Sequence, residues 1–229
     1  NSEYDGASFW GRLDVPLTER DTLQFGVNYH QGELGAPGPV GMPMYQGRQE
    51  DRIVRTDLLY ERILGTDAVL NVRGFKDATH QVYSSGATST HDVGTTGLEF
   101  QVDQQLLDGR HRVTYGGTVG EDQVESTDLA GKKRERASWA LFAQDVVAVT
   151  PRLDVTLSNR YDDYSTHGGN FSYRVGMSYD VTVNTSAYAS YGTAFRAPTI
   201  NDMYSVWGGN PNLRPETSKA YEVGIERYI

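Results

Sequence analysis

The feature that most constrains this 229-residue chain is a strict period of two that keeps returning along its length. Leu153, Val155, Leu157 and Tyr161 alternate with Asp154, Thr156, Ser158, Arg160 and Asp162. Ala7, Phe9, Leu13 and Val15 alternate with Ser8, Arg12 and Asp14 in the same way. So do Leu23, Phe25, Val27 and Tyr29 with Gln24, Gly26, Asn28 and His30, and Leu98, Phe100 and Val102 with Glu99, Gln101 and Asp103. That period belongs to a strand with one apolar face. It predicts about eleven strands, near 5–15, 23–30, 52–62, 68–78, 93–105, 113–119, 137–149, 153–163, 171–180, 185–194 and from 217. No stretch with a helical period appears.

The connections alternate as well. Short turns are expected near 16, 65, 108, 151 and 182, and longer loops near 40, 85, 128, 167 and 205. The turn at Leu107-Asp108-Gly109-Arg110 carries the Asp-Gly signature of a tight hairpin. Strands of roughly 9 to 13 residues are what a tilted strand needs to cross a bilayer. Short turns on one end and longer loops on the other describe an outer-membrane barrel rather than a soluble sandwich. The negative mean hydropathy and the lack of a long apolar run exclude transmembrane helices, not transmembrane strands. Aromatics such as Phe9, Trp10, Tyr29, Tyr60, Trp139, Tyr161, Tyr179, Tyr191 and Tyr221 fall near strand ends, as interfacial girdles do, although aromatics also favour strands in general. Single-chain bacterial barrels have an even strand count, and an open edge facing lipid costs several kcal/mol per unpaired group. Eleven strands therefore read as about half of a larger closed barrel. The opening Asn-Ser-Glu, without an initiator Met or an apolar leader, fits a fragment.

Composition narrows the function. Zero cysteines exclude disulfides and thiolate metal sites. A net charge of −9 argues against nucleic acid. No nucleophile elbow, zinc-protease helix or phosphate loop is present, so no catalytic residue is proposed and the chain is not read as an enzyme. His30, His80, His91, His111 and His167 lack metal-ligand spacing, and His167-Gly168-Gly169 reads as a loop tip. The acid pairs Glu121-Asp122 and Asp162-Asp163 could offer oxygens to Ca²⁺, with solvated loop charge the plainer reading.

Residues 193–224 stand apart: T-A-F-R-A-P-T-I-N-D-M-Y-S-V-W-G-G-N-P-N-L-R-P-E-T-S-K-A-Y-E-V-G. An alternating run stops at Phe195-Arg196-Ala197-Pro198, where proline cannot donate to a ladder. An irregular segment follows, and a new run begins after Pro215, with Tyr221, Val223 and Ile225 on one face. Phe195, Arg196, Ala197 and Pro198, followed by Asn210, Pro211, Asn212 and Leu213, resemble the FRAP and NPNL boxes of TonB-dependent outer-membrane receptors in order and spacing. Leu141-Phe142-Ala143-Gln144-Asp145 is a softer echo. The resemblance implies an all-β antiparallel transmembrane barrel of 22 strands around an N-terminal plug. Residues 1–229 would be the central part of its barrel domain, with the plug and Ton box outside the chain.

The same resemblance implies the outer membrane of a Gram-negative bacterium, contact with its lipid and lipopolysaccharide, and energisation by the TonB complex through the missing N-terminal region. Two loops are candidate ligand sites. One holds Met42, Met44 and Tyr45, the other Met203, Tyr204 and Trp207. Softly apolar, aromatic loops over a barrel mouth suit a bulky, partly apolar ligand, and they equally suit packing on each other. Haem receptors of the family place a His between the boxes, and residues 199–209 hold none. The glycine- and proline-rich loop near 40, followed by Gln49-Glu50-Asp51-Arg52, is similar to loops of cobalamin-type receptors. The expected cargo is a scarce metal chelate, cobalamin slightly before a ferric siderophore. A passive barrel, such as an adhesin or porin, is the alternative.

Overall fold

A computed structural model describes residues 3–36 and 47–228. They form a single sheet of eleven strands in sequence order, each antiparallel to its chain neighbours. The strands are β1 (Tyr4–Pro16), β2 (Asp21–Ala36), β3 (Gly47–Leu64), β4 (Ala68–Ser85), β5 (Ala87–Leu106) and β6 (His111–Ser126). They continue as β7 (Lys133–Thr150), β8 (Leu153–Tyr164), β9 (Gly168–Thr182), β10 (Thr185–Arg196) and β11 (Glu216–Arg227), with a one-turn helix α1 (Ile200–Tyr204) before the last. Among the described residues β1 and β11 each pair with a single neighbour, so the sheet has two free edges.

The register confirms the faces read from the sequence. Val155, Leu157 and Tyr161 of β8 line up with Met177, Val175 and Phe171 of β9, and with Val147, Asp145 and Leu141 of β7. Leu98, Phe100 and Val102 of β5 align with Gly74, Val72 and Leu70 of β4. This apolar face carries a cluster of rings, Trp139 against Tyr161 at 5.4 Å and Tyr173 against Tyr191 at 6.1 Å. Asp145 interrupts it and is paired with Nδ1 of His111 at 2.7 Å. The opposite face is polar, with Arg160 paired to the buried Asp162 and stacked on Phe142 at 5.7 Å.

Four expectations need correction. Strands are longer than foreseen, up to 20 residues in β5. Residues 79–92, read as a polar loop, are the upper ends of β4 and β5, closed by Gly86 at φ +74°. Trp10 lies not with the apolar-face aromatics but in register with Asn28, on the side of Arg12. Each proposed Ca²⁺ pair sits within a strand and so straddles the sheet, and Asp122 and Asp162 are already taken by Arg136 and Arg160. The described residues contain no cluster of three acidic or histidine side chains fit for a metal.

Candidate functional site: the β10–β11 segment

The segment 197–215 is shaped by its own short-range chemistry. Pro198 follows the end of β10. Thr199 then caps α1: its hydroxyl accepts from the Asp202 N–H at 3.0 Å, while Asp202 Oδ2 accepts from the Thr199 N–H at 3.0 Å. Beyond the helix, Gly208 takes a left-handed φ of +125° that disfavours any side chain. Asn210 N–H donates back to the Asp202 carbonyl at 3.0 Å, and Asn210 Oδ1 accepts from Asn212 N–H at 3.0 Å. Leu213 N–H closes the turn on the Asn210 carbonyl at 3.2 Å. Asn210, Pro211, Asn212 and Leu213 thus form the turn that returns the chain to β11.

The segment does not stand free. It folds over the polar face and docks against the loop between β6 and β7. Leu129 and Ser205 form an isolated bridge, Ala130 N–H donates to the Tyr204 carbonyl at 2.9 Å, and Val206 N–H to the Asp128 carbonyl at 2.9 Å. Leu129, Ala140, Ile200 and Met203 are the buried apolar side chains among the described residues, and three of the four belong to this segment and the loop it docks on. Burial of each large side chain is worth about 1.5–3 kcal/mol. Arg134 lies over the Tyr204 ring at 4.7 Å. Arg136 donates to the Pro198 carbonyl at 2.9 Å and to Asp122 at 2.7 Å, and covers Tyr164 at 5.0 Å. Pro198 and Arg136 lie three strands apart, about 14 Å in a flat sheet. Their contact draws the segment back across β8 and β9 on the polar face. Below α1 a hollow of about 450 Å³ remains between the helix and β4–β7, lined by Gln81, His91, Asp122 and Ile200.

On its other side the segment borders a second hollow of about 440 Å³, lined by Arg196, Asp202, Trp207, Gly208, Arg214 and Glu216. Arg196 reaches Glu216 at 3.6 Å and Asp202 at 3.9 Å, long contacts that tether both ends of the segment. The Thr199 side chain, its backbone N–H and then Arg196 hold the Asp202 carboxyl below the usual carboxylate range. His167 stacks on Tyr164 at 4.7 Å, and burial followed by the nearby Arg136 charge lowers its pKa.

The candidate ligand residues divide. Trp207 is 83% exposed at the second hollow. Tyr204 is half-buried under Arg134. Met203, at 2% exposure, packs the segment onto the wall. Met42, Met44 and Tyr45 lie outside the described residues, although the order of antiparallel strands puts the β2–β3 and β10–β11 connections at the same end. Sequence reading missed Arg136 and Leu129. Arg136 sat in a charged run, Lys132 to Arg136, where only its alternation with Glu135 told that it faces inward.

Comparison with known proteins places this geometry. The family model "TonB dependent receptor-like, beta-barrel" matches residues 1–228. The vitamin B12 transporter BtuB of Photobacterium profundum is 28% identical over 199 residues, 86% of this chain and 32% of that protein. BtuB of Vibrio vulnificus (strain CMCP6) is 35% identical over 192 residues, 78% of this chain and 30% of that protein. Among solved structures, the siderophore receptor PirA from Pseudomonas aeruginosa aligns with a TM-score of 0.85 at 18% identity, over 99% of this chain and 44% of that one. The chain thus spans about a third of the length of these curated relatives.

Proposed function

The chain belongs to the TonB-dependent receptor β-barrel family, and from that premise we propose that it forms part of the wall of an outer-membrane importer for a scarce, bulky metal chelate. The family is one of receptors and transporters, not of enzymes. The apolar face meets the lipid and lipopolysaccharide of a Gram-negative outer membrane, the polar face lines the lumen, and energy comes from the TonB complex through a region outside this chain. A cobalamin-type ligand is favoured over a ferric siderophore, on the breadth of similarity to proteins named vitamin B12 transporters.

One observation carries the reading of the site. The family-motif segment is pinned to the inner wall by Arg136 and Leu129, yet leaves Trp207 exposed beside a 440 Å³ hollow. An exposed indole on a segment held to the inner wall suits a large macrocycle. Affinity would come mostly from burying apolar surface, at about 25 cal/mol per Å² before ordering costs. The test is growth of a strain lacking the full-length receptor and then complemented with it. Restored growth on limiting cobalamin but not on ferric chelates is expected. Restored growth on a ferric siderophore alone reassigns the cargo, and growth that is independent of TonB refutes energised import.

A further inference from the structure

The hollow of about 450 Å³ beneath α1 has a chemistry of its own. Register sets its floor as rows on the polar face. Gln81, His91 and Ser126 lie side by side on β4, β5 and β6. Val93 and Val124 form the next row, and Asp122 beside Arg136 belongs to the one after. Ile200 and Asn201 close the hollow from α1. Its charges are already matched. Asp122 accepts from Arg136 Nε and Nη2 and from the Thr95 hydroxyl at 3.0 Å, and Arg136 Nη1 is spent on the Pro198 carbonyl. Hydrogen-bonding capacity is left over on the Gln81–His91 edge. Gln81 Nε2 donates to Asp51 at 2.8 Å, while its Oε1 accepts from no group among the described residues. Ser126 Oγ accepts from the Asp128 N–H at 3.0 Å, so its own proton goes to His91 Nδ1 at 2.7 Å. That network puts the His91 proton on Nε2, where Asp128 Oδ2, at 3.5 Å, is too far for a good hydrogen bond.

We propose that this hollow is a second subsite for the cargo and takes an uncharged carboxamide side arm. The amide N–H donates to Gln81 Oε1, the amide oxygen accepts from His91 Nε2–H, and the apolar stem lies between Ile200 and the two valines. Gln81 and His91 are direct cross-strand partners, about 5 Å apart at Cβ, a span that one amide group bridges. A carboxylate in the same place would face the Gln81 carbonyl oxygen and the Asp128 carboxylate, and Arg136, the cation at the floor, is already committed. Asn201 borders both this hollow and the one beside Trp207, so a single bulky chelate reaches the two. The subsite rests on the import reading given above. It makes charge the criterion by which an amide-bearing chelate is taken in preference to an anionic one.

The test uses the full-length receptor in detergent at neutral pH, with benzamide and benzoate as probes followed by ligand-observed NMR and cyanocobalamin, a chelate rimmed with carboxamides, as competitor. Benzamide should bind at least about tenfold more tightly than benzoate, whose charge would be buried without a partner. Saturating cyanocobalamin should displace it. Gln81→Met, which removes the acceptor, should weaken both benzamide and cyanocobalamin by about three- to tenfold, the worth of one hydrogen bond. Val124→Phe, which fills the hollow, should abolish benzamide binding. Equal binding of benzamide and benzoate by the parent overturns the subsite, as does benzamide that stays bound under saturating cyanocobalamin, or parental affinity in folded Gln81→Met and Val124→Phe. If neither variant folds, the two comparisons on the parent still decide. A receptor that imports cobalamin without preferring benzamide loses the subsite and keeps the import reading. One that prefers benzamide yet binds no cyanocobalamin keeps the chemistry of the hollow and loses cobalamin as the cargo.

Discussion

Arg136 Nη1 donates to the carbonyl of Pro198 at 2.9 Å, joining β7 to the end of the F-R-A-P box across two intervening strands. Its Nη2 and Nε hold Asp122 at 2.7 and 3.2 Å, and its side chain is only 15% exposed. Hydrogen bonds to charged groups are worth about 1.5–3 kcal/mol. Arg136→Ala should therefore lower the local opening free energy of residues 199–206 by about that amount, read as faster amide exchange there and unchanged exchange in β8 and β9. Arg136→Lys should fall between. Unchanged protection of 199–206 in Arg136→Ala would show that the segment is held by Leu129 and its neighbours alone.

The two faces make opposite demands on charge. Val175 lies well inside the band on the apolar face, between Leu157 and Tyr191, with Leu157 separating it from Asp145. Val175→Arg should destabilise the barrel by about 2–4 kcal/mol in vesicles, the cost of Arg near the midplane of a lipid-facing strand. Gln144→Arg, on the lumen face beside Ser158 and Thr114, should change it far less. Equal costs in a folding titration would mean that the faces are assigned the wrong way round.

Glycines give a sharper packing test. A methyl on Gly116 would collide with the Phe100 carbonyl oxygen and stand 2.7 Å from Phe142 Cζ. A methyl on Gly74 would meet nothing within 4 Å. Gly116→Ala should cost about 1–3 kcal/mol, as overpacking does, and Gly74→Ala close to nothing. Equal stability of the two variants is the result that fails this packing.

Asp202 makes the motif segment acid-sensitive. Its folded pKa lies below the ordinary carboxylate value, so its contribution is fully present above that value and is lost as pH falls through the folded pKa. Pepsin cleavage within 199–206 should rise as pH drops below the usual carboxylate range. Asp202→Asn, which has no such proton to take up, should be cleaved to a similar extent throughout. A parent whose cleavage does not change with pH would remove Asp202 from the capping role.

Much of this was legible in the sequence because a barrel strand repeats one simple rule. The period of two marked the strands from Tyr4–Pro16 to Glu216–Arg227 and their faces, and the turn residues marked the short end. Legibility ended where the rule stopped applying. Above the apolar band both faces of β4 and β5 turn polar, so Thr79 to Asp92 looked like loop, and only the lone Gly86 marked the hairpin. Helix α1 is too short to show a period, although Thr199 and Asp202 carry the capping spacing. The burial of Met203 and the bond from Arg136 to the Pro198 carbonyl depend on contacts with distant strands, which no local pattern encodes.

The most direct measurement of the import site is equilibrium binding of cyanocobalamin, and in parallel a ferric siderophore, to the purified full-length receptor and to Trp207→Ala. Trp207 is 83% exposed, so its truncation should leave folding intact. A loss of about 1–4 kcal/mol in cyanocobalamin affinity, the range of a hot-spot aromatic, is the expected result, with no measurable siderophore binding in either protein. Identical cyanocobalamin affinity in the parent and Trp207→Ala would contradict the placement of the ligand over the β10–β11 segment.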